Sequence, residues 1–229
     1  PADRVRVIHN AVDPVMFQYG NMADARRALG VEDERTLVVS VGHLVSVKRF
    51  HVLIDGFSRY VARNPGALLV IIGGPSFEPT YPVELHAQVR RLGLEGCVRF
   101  TGNLCPSDVA QWLRAADLFA LVSAREGCCN AVLEALAVGV PVVATPVGDN
   151  ARFVDPDRNG LLVPVDDPGA IAIAIERVVR SGNWNRRRIS ADLHRQVGDW
   201  ADVGRRVLSF ARETLGRRSG LRPAGMEVQ

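Results

Sequence analysis

The strongest constraint on how this chain folds is an alternation of two kinds of segment. Short apolar runs rich in Val, Ile and Leu recur along it: "TLVVSVG" (36–42), "ALLVIIGG" (67–74), "CVRFTGN" (97–103), "DLFALVS" (117–123), "VPVVAT" (140–145) and "GLLVPV" (160–165). Between them lie stretches whose apolar positions repeat at helical spacing. "RFHVLIDGFSRYVARNP" places Phe50, Leu53, Ile54 and Phe57 on one face. "VELHAQVRRLGL" (83–94), "PSDVAQWLRAA" (106–116), residues 130–138 up to Gly139, "DPGAIAIAIERVVR" (167–180) and "DWADVGRRVLSFARETL" (199–215) follow the same rule. Strands apolar on both faces, separated by amphipathic helices, predict a parallel sheet covered on both sides. The helices are crossovers, so the connections are right-handed and the architecture is doubly wound α/β. No second core and no internal repeat is visible. One domain is expected over 1–216, followed by a flexible tail over 217–229 with turn residues and no periodicity.

Composition narrows the function classes. With 47% hydrophobic residues in 229, the chain can bury a sizeable core. A net charge of +3 gives no case for nucleic acid, which needs basic residues gathered on one face. The longest apolar stretch, "ALAVGVPVVA", is broken by Gly139 and Pro141 and is too short to cross a membrane. No signal peptide opens the sequence, and the first residue, Pro1, leads us to expect a fragment of a longer protein. Cys97, Cys105, Cys128 and Cys129 form no CxxC pair and have no matching histidine spacing, which argues against zinc. Reduced thiols and a cytoplasmic setting are the expectation.

The glycines point to a site. Gly42, Gly73, Gly74, Gly102, Gly127 and Gly148 each lie just past the carboxyl end of an expected strand. Ligands of open α/β sheets bind outside those ends. There is neither a GxGxxG motif nor the glycine–lysine phosphate loop of the nucleotide triphosphatases, which lowers both of those readings. Lys48, after the first of these strands and before a helix, is placed to meet a phosphate, although a single such lysine is more often just solvated. In "REGCCNAVLE", Glu126 falls in a loop at a strand end, Asn130 is a candidate helix cap, and the amides of Gly127, Cys128 and Cys129 would face the crevice. Glu134, further along the helix, suits a pair of vicinal hydroxyls. Acids also favour helix starts for electrostatic reasons, so the residues alone leave the two readings level.

The fragments together resemble a family. "EGCCNAVLE" fits the E-x7-E pattern of retaining glycosyltransferases of the GT-B fold, in particular their family 4. The likeness extends from "VIHNAVDPVMF" (7–17) through "VGHLVSVK", "IIGGP", "VRFTGN", "AADLFALVSAREG", "LEALAVGVPVVATPVG" and "NGLLVP" to about residue 215. It is similar to the C-terminal, donor-binding half of those enzymes, a Rossmann-like domain. It implies that the N-terminal acceptor-binding half would precede Pro1. It further implies that Glu134 holds the ribose hydroxyls of a UDP-, GDP- or ADP-linked sugar and that Glu126 orients hydroxyls of the transferred sugar. Amides from Gly127 to Asn130 would hold the sugar and a phosphate oxygen, while Lys48 neutralises the diphosphate. Gly42, His43, Arg49 and Gly74 join the donor site, and Phe100 and Thr101 frame the base. The family needs no metal, because basic groups and a helix N-terminus stabilise the leaving diphosphate.

Two departures stand out. His43 occupies the place of the family's usual arginine, and Arg49 that of a frequent glycine. In "VGDNARF", Arg152 stands where an acid is usual. A non-catalytic module that binds a nucleotide or nucleotide sugar is therefore the alternative, and a nucleotide-sugar epimerase a more distant one, disfavoured by E-x7-E. "RRR" (186–188) reads as a solvated helix face, with a role at the inner membrane surface as the minority reading. Trp112 reads as core, and His9 as a residue near the junction with the other half.

Overall fold

The computed structural model describes residues 5–156 and 158–219. Each expected apolar run contains a strand: β1 (Leu37–Val41), β2 (Leu68–Ile72), β3 (Val98–Gly102), β4 (Leu118–Leu121), β5 (Val142–Ala144) and β6 (Gly160–Leu162). All neighbours pair in parallel, in the order β3-β2-β1-β4-β5-β6. The helices are α1 (Met22–Leu29), α2 (Phe50–Val61), α3 (Tyr81–Arg91), α4 (Pro106–Ala115), α5 (Asn130–Ala137), α6 (Asn150–Phe153), α7 (Pro168–Ser181), α8 (Arg186–Val197) and α9 (Trp200–Ser219). Prolines trim two strands. Pro141 has no N–H to give, so β5 begins after it, and β6 ends short of Pro164.

The period-2 alternation of each strand divides the core into two layers. Val38, Leu69, Ile71, Leu118, Ala120 and Val143 pack with α2, α3 and α7 on one side of the sheet. Val39, Val70, Phe119, Leu121 and Val142 pack on the other with apolar residues of α1, α4, α5 and α8, among them Trp112. Residues of this kind stabilise the fold by about 1.5–3 kcal/mol each when fully buried.

Two helices of the second layer escape a reading based on apolar spacing. In α1 the signal is in its ends: the Asn21 side chain accepts from the backbone of Ala23 and Asp24, and Gly30 closes it in a left-handed conformation. The start of α8 corrects the reading of "RRR" as a solvated face at one residue, while Arg187 and Arg188 are exposed as expected. Arg186 turns inward and donates to the carbonyls of Ala116 and Arg114 at 2.9 and 3.0 Å, satisfying the end of α4 that precedes β4. α9 continues to Ser219, past the boundary at 216 expected for the domain, while 220–229 of the expected tail lie outside the described residues. Among the described residues no helix is long and apolar enough to cross a membrane.

β1 leads outward to β2 on one side, and β4 leads outward to β5 on the other. The loops after β1 and β4 therefore diverge, opening a crevice at the carboxyl ends of these two central strands.

Candidate active site

The loop after β1 carries the cation of the site. It is held against the end of β2 by Gly42 N–H to Ile72 O and Leu44 N–H to Gly74 O, both 2.9 Å. The approach is close enough that a Cβ on Gly73, whose φ is +150°, would lie 1.9 Å from the Gly42 carbonyl oxygen. A single 3-10 turn over Ser46–Lys48 then aims Lys48 across the crevice. Its Nζ donates to Glu126 Oε1 at 2.7 Å, and Ser123 Oγ donates to the same oxygen at 2.6 Å. Both members of this ion pair are mostly shielded from solvent, with side chains 19% and 11% exposed, so the pair is little screened. No partner occupies Glu126 Oε2 among the described residues, and two of the three Lys48 donors remain for a ligand.

The helix after β4 supplies the second carboxylate. The cap of α5 is Cys129, not the expected Asn130. Asn130 is already the first helical residue, and its side chain accepts from Asn10 Nδ2 at 2.8 Å. The first N–H groups of α5 have no partner within the helix and give its start a partial positive charge. Glu134, one turn on, is half-buried and has no hydrogen-bond partner among the described residues; burial raises its carboxyl pKa above the ordinary value. Burial also pushes the Cys129 thiol up to about 11 and raises that of Cys128, which favours the protonated form of both at neutral pH.

These groups surround a cavity of about 340 Å³ whose walls include Gly42, His43, Lys48, Glu126, Cys128, Cys129, Asn130 and Glu134. Gly73, already marked by its place at a strand end, also lines it, as do Asn103, Leu104 and Ala131, which sequence reasoning did not single out as site residues. Asn103 was legible only as the last residue of the strand-end fragment "VRFTGN". Larger hollows, of about 750 and 900 Å³, lie along α2 and α7 and beside α8, and their linings contain neither Lys48 nor either crevice glutamate.

Five expected site residues are not in the cavity wall. Arg49 turns away, its Nε donating to Asp166 at 2.9 Å and Nη1 to the Ser46 carbonyl at 3.1 Å. Gly74 sits behind the wall, where a Cβ would lie 2.7 Å from Asn103 Nδ2. The Phe100 ring packs on His86 at 4.3 Å, and the Thr101 hydroxyl donates to the Gly102 carbonyl at 3.0 Å. Gly127 offers its carbonyl to Asp149 N–H at 3.0 Å. Among the described residues no three His, Cys, Asp or Glu side chains are grouped to hold a metal ion.

A doubly wound parallel sheet of six strands, with its polar crevice at the central strand ends, is the Rossmann-like architecture of GT-B glycosyltransferases. Residues 35–181 match the family model described as "Glycosyl transferases group 1". A D-inositol 3-phosphate glycosyltransferase of Acidothermus cellulolyticus is 32% identical, over 94% of this chain and 49% of its own length. The structure of Anabaena Alr3699/HepE in complex with UDP and glucose is 28% identical and matches with a TM-score of 0.80, over 92% of this chain and 56% of that one. The C-terminal domain of the glycosyl transferase group 1 family protein LpcC from Francisella tularensis shares the fold at 23% identity, with a TM-score of 0.73, and is covered completely. This chain belongs to the glycosyl transferases group 1 family. It spans about half the length of the relatives it matches.

Proposed function

We propose that this chain is the donor-binding half of a retaining glycosyltransferase, which moves a hexosyl unit from a nucleoside diphosphate sugar to an acceptor hydroxyl. The observation that carries the reading is the arrangement of Lys48, Glu126 and Glu134 around the start of α5 at the carboxyl ends of β1 and β4. Glu134, half-buried and without a hydrogen-bond partner among the described residues, suits the paired hydroxyls of a ribose. The helix N-terminus and the two spare Lys48 donors suit the diphosphate between. Glu126, already oriented by Lys48 and Ser123, keeps Oε2 for a sugar hydroxyl. UDP is the first nucleotide to test, since Alr3699/HepE is solved with it.

In this reading Glu126 is not a covalent nucleophile. The bond from the anomeric carbon to the diphosphate breaks, the acceptor oxygen bonds to the same face, and its proton passes to the leaving phosphate. Charge on that leaving group is met by Lys48 and the α5 amides rather than by a metal ion. His43, exposed at the rim of the cavity, stands where an arginine is usual and contributes at most two donors in place of a guanidinium fork. Arg49 does not replace it, being engaged with Asp166.

Calorimetry with UDP and UDP-glucose tests the assignment. Glu134→Ala should weaken both ligands alike, by roughly 1–3 kcal/mol, whereas Glu126→Ala should weaken UDP-glucose more than UDP. Equal losses for both ligands in both variants would remove the division of labour on which the reading stands.

A further inference from the structure

The segment before α1 has no regular structure over 5–13, yet two consecutive side chains in it reach the loop after β5 and the start of α5. His9 Nδ1 lies 3.0 Å from Asp149 Oδ2, and Phe153 meets its ring edge-on at 6.1 Å. Asp149 in turn donates its backbone N–H to the Gly127 carbonyl at 3.0 Å. Asn10 Nδ2 donates to Asn130 Oδ1 at 2.8 Å. The turn over 127–130 is thus held at one end by Asn10, 120 positions away in sequence, and at the other by Asp149, which is bonded in turn to His9.

The Asn10 contact has a chemical consequence. A side-chain amide carries one acceptor oxygen and one donor nitrogen on opposite sides. With Oδ1 accepting from Asn10, Asn130 is oriented to present the N–H donors of Nδ2 to the cavity it lines. Asn130 lies one turn before Glu134 on the same side of α5, beside the helix N-terminus, where the field favours an anion. A donor there suits a phosphate oxygen, and an acceptor would repel it.

We infer that the Asn130 amide contacts the diphosphate of the donor and that Asn10 is the positioning residue fixing its polarity. This rests on the nucleotide-sugar reading above. The test is UDP affinity by calorimetry on the whole chain, for the wild type, Asn10→Ala, Asn10→Asp, Asn130→Ala and the double variant Asn10→Asp/Asn130→Ala, with melting curves to show that each folds. Asp at position 10 can only accept, so Asn130 must turn its Nδ2 toward it and its oxygen toward the ligand. Asn10→Asp and Asn130→Ala should each bind UDP about tenfold more weakly, and Asn10→Ala should lose less. The double variant should be no worse than Asn130→Ala, because Asn10 acts through Asn130. Three results overturn the inference alone: wild-type affinity in Asn10→Asp, a larger loss in Asn10→Ala than in Asn10→Asp, or losses that add in full in the double variant. A wild-type chain that binds none of UDP, GDP and ADP overturns the nucleotide reading, and this inference with it.

Discussion

Burial of the Glu134 carboxylate without a partner costs the folded chain stability whenever the group is ionised. Its pKa is raised in the folded state, so folding is favoured below the ordinary value of 4.5, and that advantage is lost as pH rises through the folded pKa. Glu134→Gln should therefore melt higher than the wild type at pH 7, by about 2–4 °C for each kcal/mol recovered, and the difference should vanish in acid. A melting difference independent of pH would contradict this account of Glu134. Arg49 and Asp166 offer a second test. They are the non-glycine residues with positive φ among the described residues, 55° and 58°, and they are paired with each other. The left-handed conformation costs an ordinary residue about 1–2 kcal/mol and glycine little. Arg49→Gly should thus be about 1 kcal/mol more stable than Arg49→Ala in urea, since both lose the ion pair and only alanine keeps the strain. The glycine expected here from the resemblance would fit this backbone conformation without strain. The sequence shows which residue replaces it, but not that the arginine side chain leaves the site, because its partner lies 117 positions away.

At the scale of elements, the strands and the crossover helices were legible because burial on both faces writes itself into continuous apolar runs and helical periodicity. α1 and α8 were not, since each covers only part of the sheet and its signal lies in caps: Asn21 and Gly30 for α1, Asn185 and Gly198 for α8. Arg186 was misread for a related reason. A buried arginine looks like a surface one until the carbonyls it satisfies are placed. The packing of α2 on α7 yields a prediction against helix propensity. A Cβ on Gly56 would meet Ile171 Cγ2 at 2.6 Å and the Pro168 carbonyl at 3.1 Å, and Ile171 is fully buried. Gly56→Ala gains about 1 kcal/mol of intrinsic helix propensity but should still destabilise the fold by about 1–3 kcal/mol, read from its urea midpoint. A stabilised variant would mean that the two helices separate more easily than their contact implies.

For the whole molecule, the proposed reading makes the chain one wall of a cleft. It covers about half the length of its relatives, and positioning of the acceptor against the anomeric carbon supplies a large part of such catalysis. On the proposed reading, residues 1–229 alone should turn over donor sugar negligibly, and transfer with retained configuration should appear when the other half is supplied. Robust transfer by this chain alone would contradict that. The base, the sugar and the acceptor were not legible, because the cavity wall beyond the glutamates is built from loop backbone and residues such as Gly73 and Asn103, whose contacts depend on the fold. The central claim is that Glu134 and the start of α5 form a nucleoside diphosphate site that works without metal. Its most direct test is calorimetry of this chain in EDTA against UDP, GDP and ADP, with Glu134→Ala alongside. The account predicts that at least one nucleotide binds the wild type in EDTA and binds Glu134→Ala about tenfold or more weaker; binding that appears only with magnesium or manganese, or equal affinity in the two proteins, would contradict it.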